Sequence, residues 1–577
     1  MQLQVNQGVA PQLIVDVGVA AITAVVAFGW PMLGGSAFAR MERGFASLAS
    51  RKALAVFVVG LSVPLLRLAF LPIYGIPNPI GTDDFSFLLQ ADTFAHGRLT
   101  NPTPAMWTHF ESIHITMLPT YQSMYFPGQG LVMAAGQILF GHPWWGVLLS
   151  SALMCAALTW ALQAWIPANW ALLGGFIAVL RLGLFSYWTN TYFSAGSLSA
   201  LAGAMVLGSL PRLKKTGHLR YGLLMAIGIS ILEVTRPYEG VILCLPVAGA
   251  LIHWAWKGKK RPPIAVLARR AALSLAVIMA SSAWLGYYDL KAFGKATTLP
   301  YTVDRAQYAV APYYIWQHSR PVSHYRHAVM RDFYENAEMA SVNNKHSVVH
   351  VALQKLGASV QFFSGFMLLA PLLMSRRVLL DRRIRFLVVS VCVLVAGMSI
   401  EIFMLPHYLA PFVTAFYALG LQAMRHLRLW KPEGRPVGLG LVRLTIFSCV
   451  ATAGFRLLAQ PLNLAVPEWP PVNWYLNWFG PEHYGVERAQ VEALLEALPG
   501  TQLAIVRYEP THVSPDEWVY NAADINNSKV VWAREMDAAD NQELIKYYRN
   551  RTIWLVEPDA KPVRVTPYQT SGSTVVK

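Results

Sequence analysis

The sequence predicts a mainly α fold: a polytopic membrane helical bundle of about twelve spans plus a re-entrant segment, followed by a small C-terminal α/β domain outside the membrane. Three observations predict it. Of 577 residues, 55% are hydrophobic and 14% charged, whereas a soluble domain carries about a quarter of charged residues, and the mean hydropathy is +0.38. Apolar runs of bilayer-crossing length, about 17–25 residues, recur between short charged loops. After Gln460 charge and polarity rise and the pattern changes to short alternations. The chain therefore divides into a transmembrane core, 1–459, with outer loops 75–128 and 291–354, and an extramembrane domain, 460–577.

The predicted spans are 13–33, 53–73, 147–165, 170–188, 192–210, 221–235, 241–256, 271–290, 356–374, 386–405, 409–424 and 439–458. Between the second and third lies 131–140, where about ten apolar residues are too few to cross. Gly128, Gly130, Gly136, Gly141 and Pro143 punctuate its surroundings, so 127–145 reads as re-entrant or interfacial. The first run has no basic start and contains Asp16, so it is expected to stay as an anchor. Cys155, Cys244, Cys392 and Cys449 all fall inside apolar spans without metal-like spacing and read as core packing.

Nearly half of the 47 basic residues sit in five short loops, at 40–52, 212–220, 257–270, 376–385 and 425–435. Those loops are cytoplasmic by the positive-inside bias. The formal charge of +16 is thus membrane topology, and it gives no warrant for nucleic-acid binding. The outer loops, the turns TRPYEG and LPHY, and everything after Gln460 fall on the opposite face. In that last region a helix over 487–498, strands at 502–508, 530–533 and 552–556, and a helix over 541–548 make up the α/β pattern.

Chemistry-bearing residues concentrate in the outer segments. Asp83 and Asp84 are adjacent carboxylates just after the second span, where partial desolvation and access to water suit a general base or a cation site. The same stretch reads as a capped amphipathic helix along the membrane surface, with Phe85, Leu88, Leu89 and Phe94 as its apolar side; a cap accounts for one carboxylate and leaves the second. His109, Glu111 and His114 follow in NPTPAMWTHFESIHI and, with Asp84, are candidate ligands for a divalent cation, although their spacing matches no ligand pattern. In TRPYEG, Arg236 is able to hold a phosphate bidentately beside Glu239. His407 and Tyr408 in LPHYLAP, and Arg305 in the tyrosine-rich second loop, are further candidate substrate contacts. Arg67, Arg181, Glu233 and Glu401 lie within or at the ends of spans, where a charge must face protein or a wet cavity.

The order of these elements resembles the GT-C membrane glycosyltransferases, and is similar to bacterial relatives of the protein O-mannosyltransferases and the lipid A aminoarabinose transferases. The resemblance covers about 81–420 and is carried by the acidic pair, then YFPGQG, YFSAGSLSALAGAMVLG before a basic loop, TRPYEG and LPHYLAP. It implies a bundle of GT-C type in a bacterial inner membrane, with the C-terminal domain periplasmic and a polyprenyl-phosphate-linked sugar as donor. It also implies an inverting hexosyl or pentosyl transfer, with Asp83 as base and Asp84 in support or on a cation. In many relatives the pair reads Asp-Glu, and Asp84 departs from that. Arg236 and His407 fall in motifs that line the donor side. No cofactor is firmly implied, a divalent cation being the one option, and the acceptor is not named by the resemblance. The rival classes are a transporter or flippase whose path is lined by the four intramembrane charges, and a scaffold or sensor whose working part is the C-terminal domain.

Overall fold

The computed structural model describes residues 2–79, 81–258, 261–343, 348–459, 462 and 485–569. It is mainly helical, and a helix overlaps each of the twelve predicted spans. Among the described residues five helices are individually long and apolar enough to cross a bilayer: Lys52–Ala69, Trp144–Leu162, Pro237–Lys257, Ile264–Phe293 and Val437–Phe455. A bent pair, Leu353–Leu368 with Pro371–Leu380, makes a sixth if counted as one span. The predicted boundary at Gln460 lies outside the described residues.

The span expected over 356–374 falls within this bent pair. The two halves meet at 94°. Gly365 adopts φ 52°, a left-handed conformation that ends a helix at little cost only for glycine, and Pro371 lacks the N–H that would continue one. Arg181 closes that end: its Nη2 donates to the carbonyls of Gln361 (2.8 Å) and Phe362 (3.1 Å), orphaned where the helix stops. The short apolar helix Gly128–Phe140 is followed at once by Trp144–Leu162. The two pack backbone to backbone, since a Cβ on Gly136 would lie 2.2 Å from the Gly146 nitrogen.

The loops read as cytoplasmic associate with one another. Glu42 pairs with Arg428 at 3.0 Å, and Asp381 faces His426 at 3.8 Å. The outer loops gather instead around the C-terminal segment. There β3 (Gln502–Val506), β4 (Val530–Arg534), β5 (Thr552–Glu557) and β6 (Arg564–Pro567) form a sheet in the order β4-β3-β5-β6, after a two-stranded hairpin β1 (Ile115–Thr116) and β2 (Gln122–Ser123) in the first loop. β3 runs parallel to β4 and β5, and β6 antiparallel to β5. The predicted helices appear as Val486–Ala497 and Ala538–Tyr547. β6 was not legible in advance, because its four residues, Arg-Val-Thr-Pro, carry a single apolar side chain inside the strand and end on a proline.

Strand alternation sends side chains to both faces of this sheet. Ala504, Val506, Val530 and Trp532 pack with Val491 and Leu495 of the Val486–Ala497 helix. Leu503, Ile505, Val531 and Ala533 pack instead with Leu89, Phe110, Ile115 and Tyr121 of the first outer loop. The C-terminal segment therefore shares a core with that loop. A buried ion pair strengthens the joint: Arg534 Nη2 meets Glu517 Oε2 while Arg534 Nε donates to the Glu111 carbonyl at 2.6 Å. Glu517→Gln keeps the shape but leaves the Arg534 charge without its counter-ion. The substitution is expected to destabilise the C-terminal sheet by about 3–5 kcal/mol, the range for breaking a buried pair. Faster hydrogen exchange across β3, β4 and β5 would show it; unchanged protection would refute it.

Candidate active site

Asp83 lies in the helix Thr82–Ala95. That helix is buried on most of its circumference, with Phe85 stacked on Tyr520 at 4.6 Å and Gln90 Nε2 bonded to the Tyr125 carbonyl at 2.9 Å. It is thus a wedge between the apolar bundle and the C-terminal sheet. This corrects the expectation of a helix lying along the membrane surface, because the sheet and the loop supply apolar partners for what looked like one exposed face. The N-cap is Gly81, with no side-chain cap, so neither Thr82 nor Asp83 serves as one. A Cβ on Gly81 would lie 2.4 Å from the Pro515 carbonyl oxygen, and this close approach seats the helix against the C-terminal segment.

The helix projects Asp83 into a cavity of about 2110 Å³, bounded by both outer loops, the ends of several membrane helices and the C-terminal segment. Asp83 remains 31% exposed to it. One carboxylate oxygen, Oδ1, accepts from His114 Nδ1 at 2.5 Å and from the Tyr125 hydroxyl. The β1–β2 hairpin explains the convergence: pairing Ile115 with Ser123 folds the chain back, so residues on either side of the hairpin meet at Asp83. Oδ2 makes no hydrogen bond among the described residues. Burial pushes the Asp83 carboxyl up, but the His114 charge and hydrogen bond, the Tyr125 hydroxyl and the Arg236 charge outweigh it and hold the group below the usual carboxylate range. Asp83 is therefore ionised at neutral pH.

Arg236 lines the same cavity from the start of the Pro237–Lys257 helix. Its guanidinium lies 4.4 Å over the Tyr408 ring, donates to the Ser194 carbonyl at 3.2 Å, and faces Glu239 at 3.6 Å. The quoted motifs meet here through their glycines. A Cβ on Gly128 of YFPGQG would lie 2.4 Å from Thr235 Cγ2, and one on Gly203 would lie 1.9 Å from the Pro411 oxygen of LPHYLAP.

No family model matches the chain, and no curated protein does. Among solved structures it is similar in fold to ArnT from Cupriavidus metallidurans in the apo state, with 13% identity over 87% of this chain and 92% of that one and a TM-score of 0.46. ArnT bound to undecaprenyl phosphate gives 14% identity, the same coverages and a TM-score of 0.49. The archaeal oligosaccharyltransferase AglB from Archaeoglobus fulgidus, in complex with an inhibitory peptide and a dolichol-phosphate, gives 11% identity over 88% and 69% of the two chains and a TM-score of 0.40. The likeness is one of overall fold. At these identities and scores it says nothing of activity, which rests on the side chains of the cavity.

The structure brings together Asp83, Arg236, Glu239, Arg305, His407 and Tyr408, all of which line the cavity. Arg305 and His407 are, like Asp83 and Arg236, held by protein partners. Arg305 Nη1 pairs with Glu338 at 2.6 Å and its guanidinium stacks 4.2 Å over Tyr313, which leaves it less suited to a phosphate than Arg236. His407 is buried, with Nδ1 2.7 Å from the Tyr187 hydroxyl, and that hydroxyl accepts the His407 backbone N–H at 3.1 Å.

Asp84 takes a different part from its neighbour. It is 1% exposed, and its Oδ1 accepts the backbone N–H groups of Tyr192 (2.9 Å) and Phe193 (2.7 Å). Those bonds fix the turn whose next residue, Ser194, supplies the carbonyl that holds Arg236. Asp84 thus acts on the site through the turn that carries this carbonyl.

The metal candidates Asp84, His109, Glu111 and His114 are dispersed. His109 Nδ1 meets the Arg534 carbonyl at 3.0 Å, Glu111 accepts from Tyr308 at 2.9 Å, and His114 is on Asp83. Among the described residues no group of three or more His, Cys, Asp or Glu is placed to hold a metal ion. The reason is tertiary: His109 and Glu111 are engaged in the joint between the first loop, the second loop and the C-terminal sheet, Asp84 is turned onto the Tyr192 and Phe193 amides, and His114 is held on Asp83. Tyr125 was not singled out from sequence, although it opens YFPGQG; nothing in a lone tyrosine there signals that a hairpin returns it to Asp83.

Proposed function

We propose that the protein is an integral-membrane glycosyltransferase of GT-C type, with about twelve spans and a periplasmic C-terminal domain. It moves a sugar from a polyprenyl-phosphate donor to an acceptor on the periplasmic face of a bacterial inner membrane. The observation that carries this reading is the placement of an ionised carboxylate with one open oxygen, Asp83, and an aromatic-backed guanidinium, Arg236, in one cavity at the end of an apolar bundle.

The chemistry follows from those two groups. The acceptor nucleophile gives its proton to Asp83 Oδ2 as it attacks the anomeric carbon. The bond from that carbon to the lipid phosphate breaks, and the phosphate leaves with its electron pair and charge against Arg236. The bilayer keeps the lipid tail beside the cavity. One carboxylate and a single displacement give inversion; Asp84, turned onto backbone amides, is not available as a second nucleophile. The lipid phosphates bound in the ArnT and AglB structures are of the chemical class that this reaction would release from its donor.

A transporter is the competing class, and its supposed path does not assemble. Arg67 donates to the Gly75 carbonyl at 2.8 Å, Arg181 caps a helix, and Glu233 is bonded to Ser282. Of the four charges only Glu401 lines the cavity. The experiment is to reconstitute the purified protein in liposomes containing polyprenyl-phosphate sugars, labelled in the sugar, with a mixed set of acceptors. The label is expected to leave the lipid and appear on an acceptor. Movement of intact labelled lipid between leaflets with no consumption of the donor would overturn the enzyme reading.

A further inference from the structure

His114 reaches this site with an unusual backbone conformation. Its φ is 64°, in the left-handed region that non-glycine residues rarely occupy and that costs about 1–2 kcal/mol. The strain is held in place from two sides, because the His114 carbonyl accepts from the Ser86 hydroxyl at 2.7 Å and from the Met124 N–H at 3.1 Å. Ser86 lies on the helix that carries Asp83, one turn along, and Met124 directly follows β2. Both anchors therefore fix the imidazole relative to Asp83. The ring is also walled by Phe333, edge-on at 5.2 Å.

We infer that His114, as an imidazolium, is a positioning residue for Asp83: it locks Oδ1, leaves Oδ2 open to the acceptor, and keeps the carboxylate charged. The inference rests on the transferase reading for its consequence in turnover. Its structural part stands by itself.

The charges facing His114 support this state from every side. Asp83 comes from the Thr82–Ala95 helix, Asp304 from the helix Pro300–Gln307, and Glu338 from the end of the segment Asp332–Ala337, while Tyr125 completes the contact after β2. Burial alone pushes the imidazole down, but Asp83, Asp304 and Glu338 outweigh it and raise His114 above the ordinary histidine value. A phenol at Tyr125 stays neutral and serves as a second donor. An imidazolium beside a base lowers its basicity, a disadvantage that is small here: the leaving phosphate is stabilised by Arg236, so the transition state asks for an oriented acceptor more than for a strong base.

The sign of the pH dependence is fixed by these shifts. His114 is raised, so its contribution is fully present below the ordinary histidine value and is lost as pH rises through the raised one. Asp83 is lowered, so its contribution is lost only as pH falls below the usual carboxylate range.

The test compares wild type with His114→Gln, which keeps a donor without the charge, and His114→Asn, which adopts the left-handed backbone more readily but is too short to hold Oδ1 in the same way. In both variants turnover is expected to fall about tenfold or more, with the KM for the lipid donor nearly unchanged and the alkaline limb of the wild-type profile gone. Retention of that limb in both variants would overturn the inference. A second measurement does not depend on turnover: the histidine ring signal that disappears in the variants is titrated by NMR in the full-length protein. Its midpoint is expected above the ordinary value in wild type and lower in Asp83→Asn. An ordinary midpoint unaffected by Asp83→Asn would defeat the positioning role even in an active transferase, whereas a raised midpoint in a protein that consumes no lipid-linked sugar would defeat the transferase reading and leave the His114–Asp83 couple standing.

Discussion

Asp83→Asn is expected to lower sugar transfer by about 10²–10⁴-fold, the span ascribed to a positioned general base, while the donor KM changes little. The substitution is nearly isosteric, and an amide oxygen at the Oδ1 position still accepts from His114 and Tyr125. What disappears is the charge on Oδ2 that takes the acceptor proton. The loss should therefore appear in kcat, as expected for an interaction made as the acceptor is deprotonated. Stability should change in a defined direction as well. The lowered Asp83 carboxyl stabilises the wild-type fold at neutral pH, and its contribution fades as pH falls through the folded-state value, so the wild type and variant should converge in acid. Initial rates across donor concentrations, measured beside thermal unfolding at two pH values, check both statements. Equal turnover in a folded Asp83→Asn protein would remove Asp83 from the mechanism.

Arg236 is expected to give the second large effect, and the variant must be chosen with care. Glu239 is 3% exposed and faces Arg236, so removing the arginine alone strands a buried carboxylate and confounds function with misfolding. The double variant Arg236→Met with Glu239→Gln removes both charges and keeps the volume. It is expected to fold, to bind polyprenyl phosphate more weakly, and to lose about 10²–10³-fold in transfer, the scale for deleting one stabilising group from a developing anion. Arg236→Lys should recover part of the activity at most. An ammonium keeps the charge but does not reproduce the planar fork that faces the cavity while stacking on Tyr408. Calorimetric titration with polyprenyl phosphate separates binding from chemistry, and unchanged affinity in the double variant would move the phosphate site elsewhere in the cavity.

Particular residues show how much of this was legible. The spacing of the apolar runs placed helices correctly because a bilayer-length apolar segment has few alternatives. It did not foresee the bend within 356–374, because a single Gly365 with a positive φ breaks a helix without altering hydropathy. Asp83 and Arg236 were legible as charges where charges are expensive. The separate fates of Asp83 and Asp84 were not, since the partners that distinguish them lie about 30 and 108 residues away, at His114 and at Tyr192. His114 looked like a metal candidate for the same reason: a histidine near carboxylates in sequence says nothing about which carboxylate it meets.

Composition and periodicity by themselves determined that this chain is built of apolar helices with charged loops and a C-terminal α/β segment, because hydrophobic burial and backbone hydrogen bonding act on local pattern. Tertiary structure alone decided which polar side chains share a cavity. A hairpin of two-residue strands turns His114 and Tyr125 onto one oxygen of Asp83, glycine contacts draw the motifs together beside Arg236, and the C-terminal sheet completes its core with the first outer loop. Such contacts depend on where the chain returns in space, and no local propensity encodes that return.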